Sequence, residues 1–128
     1  MKMMEKKVKI LVVDDEAIVR ESIRDWLEDA GYQVATAESG EEALALVKEQ
    51  DFGVMVLDLR LPGMSGIDVL KKVKQLKPQI KSIIITAYPS VLSAVEVMKL
   101  GAIDYLIKPV APDDLEKLIK ETLLKCEG

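Results

Sequence analysis

Five times along the chain a short apolar run gives way to a stretch of helical period, and that alternation leaves few folds open. The runs lie at 9–13, 32–37, 52–57, 82–86 and 103–107, each of the length usual for a strand. The run at 52–57 is nearly unbroken in its apolar character, as in strands covered on both faces. Strands alternating with helices imply a parallel sheet, right-handed crossovers and helices on both sides. A closed eight-stranded barrel needs roughly twice the 128 residues present. The expected fold is therefore α/β: one domain over 1–128, built as an open doubly wound sheet of five parallel strands with five helices. Its expected strand order is the common 2-1-3-4-5.

The helices are marked by spacing and by their ends. Val19, Ile23, Trp26, Leu27 and Ala30 share one face of the first, which Gly31 closes. Ser39, with Glu42 three residues on, forms a capping box for a second helix over 40–50. Val69, Leu70, Val73 and Leu76 mark a third, stopped before Pro78. Pro89-Ser90 opens a fourth, with an inner face expected at Val91, Ala94, Val95 and Met98 and a stop at Gly101. Val91, Leu92 and Val97 are candidates for an interaction surface on that helix. In the fifth, Pro112, Asp113 and Asp114 suit the amino end, and Leu115, Leu118, Ile119, Thr122 and Leu123 form the buried stripe.

Composition narrows the function. With 49% hydrophobic and 31% charged residues, the chain can bury a core and is not a disordered segment. A net charge of −4 argues against direct binding of nucleic acid. The lysine clusters (Lys2, Lys6, Lys7, Lys9; Lys71, Lys72, Lys74, Lys77) are offset by acids and read as solvated faces. No apolar stretch approaches the roughly 18 residues that span a bilayer, and the charged start is unlike a secretory signal. The single cysteine, Cys126, cannot form an intramolecular disulfide, which suits a reducing compartment, so a cytoplasmic location is expected. Histidine is absent, which excludes a Ser-His-Asp triad, a His-ligated zinc and a phosphohistidine on this chain.

The polar residues that end the runs carry the chemistry. The first run ends in Asp14-Asp15, the third in Asp58, the fourth in Thr86 and the fifth in Lys108-Pro109. In an open parallel sheet, residues just past the carboxyl ends of the strands meet in one crevice. Carboxylates gathered there repel: two unit charges about 4 Å apart cost on the order of 4 kcal/mol at an effective dielectric near 20. A hard divalent cation relieves the repulsion, and oxygen-only ligands favour Mg²⁺, with Mn²⁺ as the alternative, over zinc. A carboxylate beside such an ion can attack a phosphoryl group and become an aspartyl phosphate. Lys108 and the cation would neutralise the phosphoryl oxygens, and the Thr86 hydroxyl would add a hydrogen bond. Neither G-x-G-x-x-G nor a Walker A loop is present, so the expected donor is another protein or a small molecule rather than a nucleotide.

Four motifs together make a specific pattern: Asp14-Asp15, Leu57-Asp58-Leu59-Arg60-Leu61-Pro62-Gly63-Met64-Ser65-Gly66, Thr86-Ala87, and Gly101-Ala102-Ile103-Asp104-Tyr105-Leu106-Ile107-Lys108-Pro109. With them the chain closely resembles, over essentially its whole length, the receiver domains of two-component response regulators. The resemblance implies a flavodoxin-like fold and a signalling module rather than a turnover enzyme. Asp58 would accept a phosphoryl group from a sensor histidine kinase or a phosphotransfer protein. Asp15, Asp58 and the backbone carbonyl of Arg60 would bind Mg²⁺, with Asp14 acting through water. Thr86 and Lys108 would contact the phosphoryl oxygens, and the Lys108-Pro109 peptide would be cis.

The resemblance also implies a switch. Thr86 would move toward the phosphoryl group, and Tyr105 would rotate into the space it leaves. The fourth helix, fifth strand and fifth helix would then repack, as a face for homodimerisation or for an output domain or effector. Arg60 and Tyr88 stand at positions that tune the lifetime of the aspartyl phosphate; both are bulky, and a longer lifetime is the expectation. Receivers occur alone and as parts of longer regulators, so either is open here.

Two other readings compete. A phosphohydrolase of the haloacid dehalogenase type also forms an aspartyl phosphate, but it needs an Asp-x-Asp arrangement after its first strand. Here Asp14-Asp15 is followed by Glu16. A docking domain that never carries phosphate would bind its partner equally well with Asp58→Asn.

Overall fold

The structure, a computed structural model, describes residues 8–127, with side chains described as far as Leu124. The expectations placed on Lys2, Lys6, Lys7 and the Cys126 side chain lie outside the described residues. Strands and helices alternate as β1 (Lys9–Val13), α1 (Ala17–Asp29), β2 (Gln33–Ala37), α2 (Gly40–Glu49), β3 (Val54–Asp58) and α3 (Gly66–Leu76), followed by β4 (Lys81–Thr86), α4 (Val91–Lys99), β5 (Asp104–Ile107) and α5 (Pro112–Glu127). All strands are parallel, in the order β2-β1-β3-β4-β5, as the sequence predicts.

The period of two along each strand divides the core into two layers. Leu11, Val13, Met55, Leu57 and Ile84 face Ala43, Leu44 and Val47 of α2, Val69, Leu70 and Val73 of α3, and Val97 of α4. Ile10, Val12, Val54, Val56, Ile83 and Ile85 face Ile23 and Leu27 of α1 and Leu115, Ile119 and Leu123 of α5. β3, in the middle of the sheet, is buried at every position. The outer strands β2 and β5 are only partly covered, as sheet edges require. Among the described residues no helix is long and apolar enough to cross a membrane.

Most helix ends follow local chemistry. Ser39, Ser65 and Ser90 each cap a helix by accepting a hydrogen bond from the amide three residues on. Glu42 folds back as a capping residue should, though its carboxylate takes the Glu38 amide at 2.7 Å. Gly101 ends α4 with φ near +96°, a conformation that suits glycine.

The orientation of α4 differs from expectation. Val97, assigned to an exposed surface, is fully buried, whereas Val91, Val95 and Met98, assigned to the inner face, are exposed. Ala94 is half-buried, and Leu92 is 84% exposed. The cause lies in the composition: seven of the ten residues at 91–100 are apolar, so spacing alone fits several faces equally. Leu76 of α3, expected in a buried stripe, is likewise exposed at its helix end.

Candidate functional site

Strand register assembles the site. Val13 pairs with Leu57, so Asp14 and Asp58 follow side by side on adjacent strands. Asp58 pairs with Ile85, and Thr86 with Ile107, which brings Thr86 and then Lys108 to the same rim. Gly66 N–H donates to Leu59 O at 3.0 Å, tying the start of α3 to the loop after Asp58. A Cβ at Gly66 would stand 2.5 Å from the Asp58 carbonyl oxygen, so only glycine permits this approach.

Lys108 is the hub. Its Nζ lies 2.8 Å from Asp58 Oδ2, 2.8 Å from Asp14 Oδ2 and 2.9 Å from Glu16 Oε1. Burial disfavours the charge on Lys108, but the contacts with Asp14, Asp58 and Glu16 outweigh it and hold the ammonium above the ordinary lysine range. The Lys108-Pro109 peptide is cis.

Asp14 is fully buried, and its Oδ1 accepts the Glu16 amide at 2.8 Å. Burial pushes its carboxyl upward and the nearby Asp58 charge adds to that, against the pull of Lys108 and the Glu16 amide. Asp58 Oδ1 accepts the Arg60 amide at 3.0 Å, so both of its oxygens are held.

Above these groups a cavity of about 300 Å³ opens, lined by Asp15, Glu16, Asp58, Arg60, Ala87, Tyr88 and Lys108. The Arg60 guanidinium lies over the Tyr88 ring, 4.2 Å from its centroid, which links the loops after β3 and β4 across this cavity. Thr86 is buried behind the wall, its hydroxyl accepting the Tyr88 amide at 3.0 Å. Tyr105 reaches the start of α4: its hydroxyl accepts the Ser90 amide at 3.1 Å and shares a 2.8 Å hydrogen bond with Ser93 Oγ.

Of the residues singled out from sequence, Asp14, Asp58 and Lys108 come into direct contact, while Asp15, Arg60 and Tyr88 line the cavity. Thr86 lies beneath it, and Tyr105 stands further off at α4. Glu16 was not singled out for the site, yet it contacts Lys108 and groups with Asp14 and Asp58, their carboxylate oxygens all within 4.8 Å. Its position directly after two aspartates in a loop was the available signal.

The residues fit a hard divalent cation. The donors are all oxygens, a set that suits Mg²⁺. Asp14 Oδ2 is buried and pairs with Lys108 by distance, but no donor among the described residues is aligned on it as a hydrogen bond.

Comparison with known proteins gives a consistent result. The family model of the response regulator receiver domain matches residues 10–120. The alginate biosynthesis transcriptional regulatory protein AlgB of Pseudomonas aeruginosa is 46% identical over 111 residues, which cover 87% of this chain and 25% of that protein. The transcriptional regulatory protein ZraR of Escherichia coli is 45% identical over 120 residues, covering 91% of this chain and 26% of that protein. The chain thus spans about a quarter of the length of these relatives. A solved CheY-like receiver domain protein from Methanospirillum hungatei superposes with a TM-score of 0.92 at 37% identity, covering 94% of this chain and 97% of that one.

Proposed function

The chain belongs to the response regulator receiver domain family, and on that premise we propose that it is a signalling module controlled by a phosphoryl group on Asp58. The observation that carries this reading is the shared ammonium: Lys108 holds one oxygen of Asp58 and one of Asp14, each at 2.8 Å, at the edge of an open cavity. The proposed donor is a histidine kinase or phosphotransfer protein, the kind of partner that membership of the receiver-domain family supports.

In the transfer step, an Asp58 carboxylate oxygen attacks the phosphorus of the donor's phosphohistidine. The P–N bond breaks with the donor ring's other nitrogen protonated, its electron pair stays on the departing nitrogen so that neutral imidazole leaves, and an aspartyl phosphate remains. Lys108 keeps its proton and turns from the Asp58 oxygen to the new phosphoryl oxygens. The Arg60 amide on Asp58 Oδ1 keeps the carboxylate in one orientation during attack. Asp15, Asp58 and the Arg60 carbonyl would hold Mg²⁺, with Asp14 through water and Glu16 within reach. When bound, Mg²⁺ supplies positive charge against the phosphoryl oxygens.

The Thr86 hydroxyl then leaves the Tyr88 amide for the phosphoryl group, and Tyr105 leaves Ser90 and Ser93 for the space behind Thr86. Each state of α4 is thereby linked to one state of Asp58, and phosphorylation acts by its differential interaction with the two. The stacked Arg60 and Tyr88 screen the phosphoryl group from water and lengthen its lifetime. Because the curated relatives are named as transcriptional regulators, the output is proposed to be a regulator of transcription in the cytoplasm. The α4, β5 and α5 face would pass the signal on, through homodimerisation or contact with the output, with no nucleic-acid contact from this domain.

The test is intact mass after incubation with a small acyl-phosphate donor, with and without Mg²⁺. One added phosphoryl group is expected, dependent on Mg²⁺ and absent from Asp58→Asn. A mass gain that persists in Asp58→Asn would overturn the assignment. Following the decay in the same samples checks the screen: Arg60→Ala and Tyr88→Ala should each shorten the lifetime.

A further inference from the structure

α1 begins against local rules. Its N-cap, Glu16, makes no side-chain cap, and its first turn carries no acid. A cation, Arg20, stands at the fourth helical position instead, near the positive end of the helix dipole, where a positive charge is disfavoured. A local rule broken without local gain points to another role for the side chain.

Arg20 has one. Its Nη1 donates to the backbone carbonyl oxygen of Asp14 at 2.7 Å, a charge-assisted hydrogen bond. The side chain is only 13% exposed, and its Nη2 lies 3.7 Å from Glu38 Oε2 at the end of β2. The carbonyl it holds sits where the β1 ladder stops. The Asp14 amide still donates to Ala37 O at 3.1 Å, but β2 ends at Ala37. Asp14 is therefore held by three hydrogen bonds, its amide to Ala37, its carbonyl from Arg20 and Oδ1 from the Glu16 amide, while Oδ2 pairs with Lys108 by distance alone. The peptide whose carbonyl Arg20 holds is the one that leads into Asp15, a residue lining the cavity.

We infer that Arg20 is a positioning residue for the cation site. Through the Asp14 carbonyl it sets the 14–15 peptide, and so aims Asp15 into the cavity that Asp58 and Glu16 also line. This inference rests on the proposed Mg²⁺-dependent function, which the same experiment tests separately.

The probe is Mg²⁺ alone, titrated calorimetrically into the full chain, with the melting temperature of each variant measured in chelator. Arg20→Met keeps the apolar stem and removes the guanidinium; Arg20→Lys keeps the charge. Loss of a partner that orients a metal ligand typically weakens affinity by tenfold or more. Arg20→Met should raise the Kd for Mg²⁺ by about that factor, Arg20→Lys by less, and phosphorylation of Arg20→Met should recover when Mg²⁺ is raised to saturation. A merely structural role would lower the melting temperature in chelator and leave the Kd of the folded fraction unchanged, which would overturn the inference. Equal Kd values for wild type and Arg20→Met would also overturn it, while a wild type that binds no Mg²⁺ would overturn the proposed function and this inference together. If Arg20→Met does not fold, Arg20→Lys decides alone: a Kd raised at least threefold supports positioning, and an unchanged one refutes it.

Discussion

β3 and α4 stand at opposite ends of a range within one small domain. Every residue of β3 is buried, including Asp58 at its end, and the strand is paired on both sides. α4 buries Val97 alone and is held at its two ends by polar contacts. Tyr105 takes the Ser90 amide at the amino end, and Lys74 Nζ donates to Leu100 O at 3.0 Å at the carboxyl end. Apolar packing fixes the strand against displacement, since moving it would open voids throughout the core. A helix held by a few hydrogen bonds can shift for the loss of about 1 kcal/mol apiece. The molecule thus keeps the carboxylate proposed to react on a fully buried strand, and leaves a helix with a single buried residue on the same layer of the core.

The largest effect that would sharpen this contrast comes from paired truncations. Leu57→Ala removes a fully buried side chain and should cost about 3 kcal/mol in urea unfolding, with a visible loss of cooperativity if the core loosens. Leu92→Ala, on the exposed side of α4, should change stability by no more than about 0.5 kcal/mol. Comparable costs for the two would break the comparison. Next in size is Tyr105→Phe, which removes the hydroxyl contacts with Ser90 and Ser93 and should cost about 1 kcal/mol. Hydrogen exchange should quicken at the amides of α4 and stay unchanged in β3; quickening in both would mean the two elements open together.

Asp14→Asn should give the smallest change, and of opposite sign. Burial raises the Asp14 carboxyl in the folded protein. Whatever Asp14 contributes to stability is therefore full below its unfolded pKa and is lost as pH rises through its folded pKa. In chelator, the variant should be more stable than wild type at neutral pH, and this gain should vanish in acid, where Asp14 is protonated in both states. A variant less stable than wild type at neutral pH would show that the contact with Lys108 dominates over desolvation. Added Mg²⁺ should stabilise wild type more than the variant.

The sheet was legible in the sequence because buried parallel strands write themselves as short unbroken apolar runs, and β3 and β4 could hardly be read otherwise. Asp14, Asp58 and Lys108 were legible for a related reason: each directly ends such a run or lies one step beyond it. α4 was not legible in its orientation. Its circumference is apolar almost all round, and its facing is decided by Ser90, Val97 and the turn at Gly101. Glu16 and Arg20 escaped notice because both act through contacts that no periodicity encodes. Glu16 meets Lys108, which is distant in sequence, and Arg20 meets a backbone carbonyl rather than a side chain.

The bond between Lys108 and Glu16 joins residues 92 positions apart, and it bears on how such a chain is made. During synthesis, Asp14, Glu16 and Asp58 all leave the ribosome well before the lysine that contacts them. Without β5 paired to β4, the folded register that gathers Asp14, Glu16 and Asp58 would lack the Lys108 ammonium. Contacts this far apart in sequence carry a larger loop-closure entropy than local ones. The contact between Asp58 and Lys108 therefore exists only in chains translated and folded through β5, and on the proposed function a chain truncated before β5 is expected to take up no phosphoryl group.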